Sequence, residues 1–369
     1  MMRLLIFLWL GCMEHLIVSA IDFGKVNMAR LYNPRAEISF QHKIIDQGDH
    51  YMLYLSVIVQ SEKELSYKFL TQKNYESDVH TQVEPIKIST SSNFNEKSFQ
   101  FSKGVLQKLL VIEIRRDGQP LYYPILVKGV GFYLWDDSMI YSQYYSGSPS
   151  LHGINKAYAF EYHKQFRYAD PPFGAIGQIL PKADVDTTII FSNKYPFKDW
   201  SFYLIQGDTN SIKSTGFMKV PHYYPKPQTY EELIGPLRYI CTKDEYQDIK
   251  KQENPRRAFE QFWIKNAGGK SKAQSAIRKY YQKITDTNKL FTNYKEGWKT
   301  DQGMIHIAFG KPDFVYQLNN KQIWKYIEGP RFEFIRLSTL FADEQYTLVR
   351  EPGFKKLWIQ KVGDLRAGG

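Results

Sequence analysis

The sequence predicts a multi-domain chain of β plus α/β class: two N-terminal antiparallel β-sandwich-like domains, then a mixed domain of helices and a small antiparallel sheet. Three observations carry this reading. Apolar residues alternate with period two through most of the stretch from Ile21 to Val220. Capped helical patterns replace the alternation after Thr229. Alternation then returns after Gly297. With 369 residues the chain exceeds one ordinary domain, and 43% hydrophobic with 24% charged residues is the balance of a folded globular protein.

Residues 1–20 read as a secretory leader. Arg3 supplies the positive n-region, Leu4-Leu5-Ile6-Phe7-Leu8-Trp9-Leu10 the apolar h-region, and Val18-Ser19-Ala20 the small residues before a cleavage point. The stretch is short for a transmembrane helix and is interrupted by Glu14 and His15. Export to the periplasm, outer membrane or cell surface is therefore expected. Leu10-Gly11-Cys12 also resembles the end of a lipobox, which makes Cys12 a candidate lipidation site. Trp9 and the apolar Leu16-Ile17-Val18 depart from that pattern and favour cleavage after Ala20.

Residues 21–128 are expected to form a sandwich of immunoglobulin-like type. Tyr51 to Val59 places Leu53, Leu55 and Val57 on one face of a strand, after the turn Asp46-Gln47-Gly48-Asp49 and the strand carrying Ile38, Phe40 and His42. Leu109–Ile114 and Leu121–Val127 flank Asp117-Gly118, a dipeptide that supplies the positive φ angles of a tight hairpin. Residues 129–220 give a second β-rich domain, with strands at Ala157–Tyr162, Thr187–Ser192, Trp200–Gln206 and Ser214–Val220. Asp170-Pro171-Pro172-Phe173-Gly174 marks a loop, because proline cannot donate to a sheet. The 27 Tyr, 24 Phe and 7 Trp fit sandwich cores and cross-strand pairs.

Residues 221–228, rich in proline, read as a stiff extended linker, and 229–369 as the mixed domain. Thr229 with Glu232 and Thr242 with Glu245 are capping boxes. Asn254-Pro255 opens a helix with Ala258, Phe259, Phe262 and Trp263 on one face, closed by Gly268-Gly269. A long helix follows, with the stripe Ala273, Ile277, Tyr280, Tyr281, Ile284 and Phe291. From Gly297 the expectation is a turn, a strand with Ile305, Ile307 and Phe309 opposite Met304, His306 and Ala308, and a closing turn at Gly310-Lys311-Pro312-Asp313. Further strands carry Ile323, Trp324, Tyr326 and Ile327, then Phe332, Phe334 and Ile335.

This region resembles the C-terminal domain of the GWxTD family, on the residues Gly297-Trp298-Lys299-Thr300-Asp301. The likeness runs from the Phe262-Trp263 helix through Tyr280-Tyr281 and Phe291 to Gly310, Pro312, Asp313 and Trp324, about residues 229–340. It implies an exported protein of the kind found mainly in Bacteroidota, with β-rich regions before the domain. No catalytic residues come with it. Gln302 departs from the arginine that often follows the aspartate in the family.

The bulk numbers and motifs exclude several classes. The net charge is +11, yet Lys and Arg are spread along the chain, and no recognition element for nucleic acid stands out. Cys12 and Cys241 are the two cysteines, too few for a cysteine-based zinc site. Gly268-Gly269-Lys270-Ser271 ends like a phosphate-binding loop, but Ile264 stands where the first glycine belongs. The body histidines His42, His50, His80, His152, His163, His222 and His306 lack metal-ligand spacing, and no cofactor is implied. The expected function is a non-enzymatic interaction or scaffold component of the envelope, for instance an accessory subunit of an outer-membrane secretion or assembly machine with an envelope protein as partner. The turn residues are then structural. One alternative is a glycan-binding module using Tyr141, Tyr144, Tyr145, Tyr158 and Tyr162. Another is a hydrolase using His306 with Asp301 or Asp313.

Overall fold

The computed structural model describes residues 18–19, 21–59, 65–90, 96–116, 119–136, 138–163, 166–174, 184–211, 213–342 and 344–369. The residues expected to form the n- and h-regions of a leader, Cys12, Ala20 and the Asp117-Gly118 dipeptide lie outside them. Among the described residues the chain is mostly antiparallel sheet, with its α-helices gathered after residue 229.

Among the described residues nine strands make the first unit: β1 (Val18–Ser19), β2 (Ile38–Asp46), β3 (His50–Val59), β4 (Ser66–Gln72), β5 (Val79–Val83), β6 (Lys87–Thr90), β7 (Glu96–Ser102), β8 (Leu109–Arg116) and β9 (Gln119–Leu126). They form two sheets, ordered β1-β5-β4-β8-β9 and β2-β3-β7-β6. The alternation predicted for β3 sends Leu53, Leu55 and Val57 inward. There they join Phe99 and Phe101 of β7, Phe69 of β4, and Ile112 and Ile114 of β8. Gly48, at φ +87°, turns β2 into β3. Arg116 pairs with Gln119, as a two-residue hairpin loop requires.

The second block holds β10 (Tyr133–Asp136), β11 (Ser138–Met139), β12 (Tyr144–Tyr145), β13 (Ser150–His152), β14 (Ala157–His163), β15 (Thr187–Phe191), β16 (Ser201–Gln206) and β17 (Thr215–Lys219). A three-stranded sheet β11-β10-β13 and a five-stranded sheet β12-β17-β16-β14-β15 enclose Phe132, Leu134, Leu151, Ala159, Tyr203 and Phe217. β12 lies parallel to β17. The stretch Pro221–Pro227 is not an extended rod. It folds into turns, with the Tyr224 amide on Pro221 O at 3.1 Å and the Lys226 amide on Tyr223 O at 3.2 Å. The fixed φ of proline suits a turn as well as an extended chain, and packing decides between them. The Tyr224 ring meets Tyr144 and Trp200, and its hydroxyl bonds Thr292 Oγ1.

The third block comprises α1 (Tyr230–Leu237), α2 (Lys243–Lys251), α3 (Pro255–Ala267), α4 (Lys270–Phe291), a 3-10 turn at Gly297–Lys299, α5 (Asp301–Phe309), β18 (Phe314–Gln317), β19 (Lys321–Lys325), β20 (Arg331–Leu337), β21 (Gln345–Leu348) and α6 (Phe354–Ala367). Both capping boxes form, and Asn254 Oδ1 accepts from the Arg257 amide to cap α3. The strand expected over 304–309 is helical instead. Residues 302–308 are all buried, and a helix apolar on every side shows no 3.6-residue stripe that would separate it from a buried strand. The sheet β18-β19-β20-β21 is antiparallel. Its β18 edge is covered by the N-terminal segment around Phe23 to Met28, through Gln317 N to Phe23 O at 3.0 Å and Met28 N to Val315 O at 2.8 Å. Phe23, fully buried against Tyr75, thus ties the first sandwich to the helical block.

Candidate functional site

The turn Gly297–Asp301 is built on the C-terminal half of α4. Asn288 Oδ1 accepts the Trp298 amide at 3.1 Å, and Thr292 Oγ1 accepts the Gly297 amide at 3.0 Å. A side chain of α4 and that of its C-cap residue thereby satisfy successive donors of a buried turn. Gly297 is required by close approach: a Cβ there would lie 2.3 Å from Thr287 O. Gly303 is the same case, since its Cβ would meet Gly297 O at 1.9 Å. The Trp298 indole fills the space this creates. It is 9% exposed, edge-on to Tyr239 at 6.0 Å, and Gly235 of α1 leaves room for the ring. The Tyr239 hydroxyl donates to Trp298 O at 2.9 Å.

Thr300 is the N-cap of α5. Its Oγ1 accepts the Gly303 amide at 2.9 Å and donates to Gly297 O at 2.8 Å, which closes the turn and starts the helix with one side chain. Asp301, in the first turn of α5, faces Arg350. The guanidinium Nη2 lies 2.5 Å from Asp301 Oδ1 and Nη1 3.4 Å from Oδ2, with the Arg350 side chain 2% and the Asp301 side chain 12% exposed. Asp301 Oδ2 also accepts the Leu348 amide at 2.9 Å. The carboxylate thus joins α5 to the end of β21.

Arg350 reaches the second β block as well. Nη2 donates to Asp170 O at 3.0 Å and Nε to Pro171 O at 3.3 Å. The Ala169 amide bonds Lys299 O at 2.8 Å, and the Glu351 amide bonds Pro172 O at 3.0 Å. The proline-rich loop at 166–174 is therefore a strap held on the turn by its backbone. Phe166 anchors its start among Tyr294, Phe202 and Phe341.

The remaining motif residues are placed as follows. Gly310, at φ +78°, ends α5, and its carbonyl accepts the Tyr326 hydroxyl. Pro312 is buried, and Asp313 Oδ2 accepts the Ile327 amide at 2.8 Å. Trp324 is fully buried, with Nε1 on Gln322 Oε1 at 2.6 Å. Gln302 donates to the same Gln322, whose amide nitrogen donates to Gln317 and Tyr32. An all-neutral glutamine row thus occupies the place where the resemblance expects arginine.

His306 is not brought to either aspartate. Five residues turn a helix by about 140° beyond a full revolution, so Asp301 and His306 leave α5 on different faces. His306 is buried, its Nδ1 lies 3.2 Å from Thr287 Oγ1, and its ring meets Phe291 at 5.5 Å. Burial pushes its pKa down to about 4, with a smaller push from Lys283. Its Nε2 has no hydrogen-bond partner among the described residues. Of the five tyrosines, Tyr141 and Tyr158 are half-buried and the other three are engaged inside the protein. Tyr162 is buried against Phe202, Phe166 and Phe341, the Tyr145 hydroxyl is held by Asp136, and Tyr144 packs on Tyr224. Among the described residues, no three His, Cys, Asp or Glu side chains converge as for a metal ion, and no helix is long and apolar enough to cross a membrane.

A sequence model of the GWxTD domain matches residues 201–367, from the first residue of β16 to the end of α6. Residues 201–367 are a GWxTD domain. No curated protein and no solved structure matches the chain. In this GWxTD domain Gly, Trp, Thr and Asp are joined by partners that sequence reading missed: Asn288 and Thr292 below the turn, Tyr239 beside it, and Arg350 across from it. Arg350 stands 49 positions from its aspartate, a separation no local pattern reveals.

Proposed function

We propose that the chain is a non-enzymatic interaction or scaffold component of a bacterial cell envelope. It would serve as an accessory subunit of an outer-membrane secretion or assembly machine and engage an envelope protein. The observation that carries this reading is the consumption of the motif by packing. Gly297 makes a close approach, Trp298 is a plug, Thr300 is a cap, and Asp301 is ion-paired to a buried arginine. A site of general acid–base chemistry needs a titratable group within reach of substrate, whereas these groups already have partners inside the protein. The leader-like residues 1–20 support an address outside the cytoplasm. Exposed apolar side chains offer contact area for a partner: Ile86 and Ile88 by the open β6 edge, and Phe314, Ile327 and Ile335 on the last sheet and its β19–β20 turn.

Gentle crosslinking of native membranes followed by affinity purification tests the proposal. A stoichiometric envelope protein lost on substituting Ile86 and Ile88, or Phe314 and Ile335, is the expected result. A chain that purifies alone under every crosslinking condition contradicts it.

A further inference from the structure

We propose that a cleft between α4, α5 and α6 binds a small amphipathic anion, with a phosphate or carboxylate head on a short apolar body. The cleft has a volume of about 560 Å³, within the range of small-molecule sites. Lys283 of α4 and Lys361 of α6 supply its charge, while Phe309 of α5 and Leu365 of α6 give it an apolar wall. Lys283 is half-buried and has no acceptor or acidic partner among the described residues. Burial holds its pKa below the ordinary lysine value, and the neighbouring Lys361 and Lys279 push the same way. Lys279 is occupied by Gly368 O at 2.8 Å, and Lys361 meets Asp364 only at 4.0 Å. Two ammonium groups therefore line one cleft, together with one acidic side chain, Asp364, loosely placed against Lys361, and with Gly369. An arrangement of like charges on low-dielectric walls is relieved by a bound anion.

The surroundings add to the field. The α3–α4 hairpin, residues 255–291, carries nine Lys and Arg against two acids. Its Glu260 is paired with Arg256 and its Asp286 is bonded by Gln282. The even spread of charge read from the whole sequence hides this concentration. An inorganic anion would use the lysines alone. The Phe309 and Leu365 wall argues for a ligand whose apolar part replaces water there.

Calorimetric titration of the full chain at low salt, with hexyl phosphate and with inorganic phosphate, tests the proposal. Hexyl phosphate is expected to saturate one site about tenfold more tightly than inorganic phosphate. Lys283→Met and Lys361→Met should each weaken hexyl phosphate at least about fivefold, with thermal midpoints unchanged or raised. Lys361→Met changes a part-exposed side chain and keeps the test valid should Lys283→Met misfold. Absence of saturation, equal affinity for the two phosphates, or undiminished binding by Lys361→Met overturns the proposal.

Discussion

Replacing Asp301 with alanine strips the counter-charge from Arg350 and leaves the rest of the chain in place. The Arg350 side chain is 2% exposed, so its guanidinium cannot recover water without moving. Removing one partner of such a pair costs about 3–5 kcal/mol. The Leu348 amide, which donates to Asp301 Oδ2, is orphaned in the same step. That penalty overlaps with the first, so about 4 kcal/mol is the expected total. Arg350→Met leaves the Asp301 carboxylate, 12% exposed, without its counter-charge and the carbonyls of Leu348, Asp170 and Pro171 without donors, at about 3 kcal/mol. The double variant, with neither charge buried, should cost about 2 kcal/mol less than the sum of the two. Urea unfolding followed by tryptophan fluorescence measures all three, because Trp298 and Trp324 are buried on the unfolding unit. A loss under about 1 kcal/mol for Asp301→Ala, as for exposed ion pairs, or strict additivity in the cycle, would refute the reasoning.

Three further outcomes follow from the same geometry. Trp298→Ala should cost about 3–5 kcal/mol by calorimetry and Thr300→Ala about 1 kcal/mol, in the order plug before cap. Burial keeps His306 neutral to about pH 4, against about 6.5 in an unfolded chain. The unfolded state therefore binds the extra proton as pH falls from 6.5 to 4, and stability should drop across that window by up to about 3 kcal/mol from this residue. His306→Leu should flatten that slope in unfolding measured at stepped pH. Burial pushes the Cys241 thiol up to about 12, so it should resist thiol reagents at pH 8 and react once the chain is unfolded.

Local rules made much of the fold legible. The capping boxes at Thr229 and Thr242, the Asn254-Pro255 start and the Gly268-Gly269 stop place α1 to α4, because each is a short-range hydrogen-bond signature. Alternation places β3 and β14, because successive strand side chains point to opposite faces, and short apolar runs place β8 and β16. The α5 helix defeats the method. Met304 to Ala308 are buried on all sides, so the periodicity that would distinguish helix from strand is missing. The α6 helix carries a readable stripe of Phe354, Trp358 and Leu365, yet the motif it supports lies upstream, and the sequence reading assigns no element beyond residue 340. Within the site, Gly297, Trp298, Thr300 and Asp301 are visible as a pattern, while Arg350 and the strap at 166–174 are set by tertiary contact alone. A strap carbonyl bound to a distant guanidinium leaves no trace in composition, spacing or period.

Hydrogen–deuterium exchange at single-amide resolution reaches the motif most directly. The amides of Ala169, Trp298, Gly303 and Leu348 each donate to a group of the turn or of its supporting helix. If the turn is a packing clamp, all four exchange as slowly as the sheet core, and Asp301→Ala speeds Ala169 and Leu348 together. Fast exchange at these amides in the folded wild-type chain would mean that the turn is open to solvent and free for chemistry.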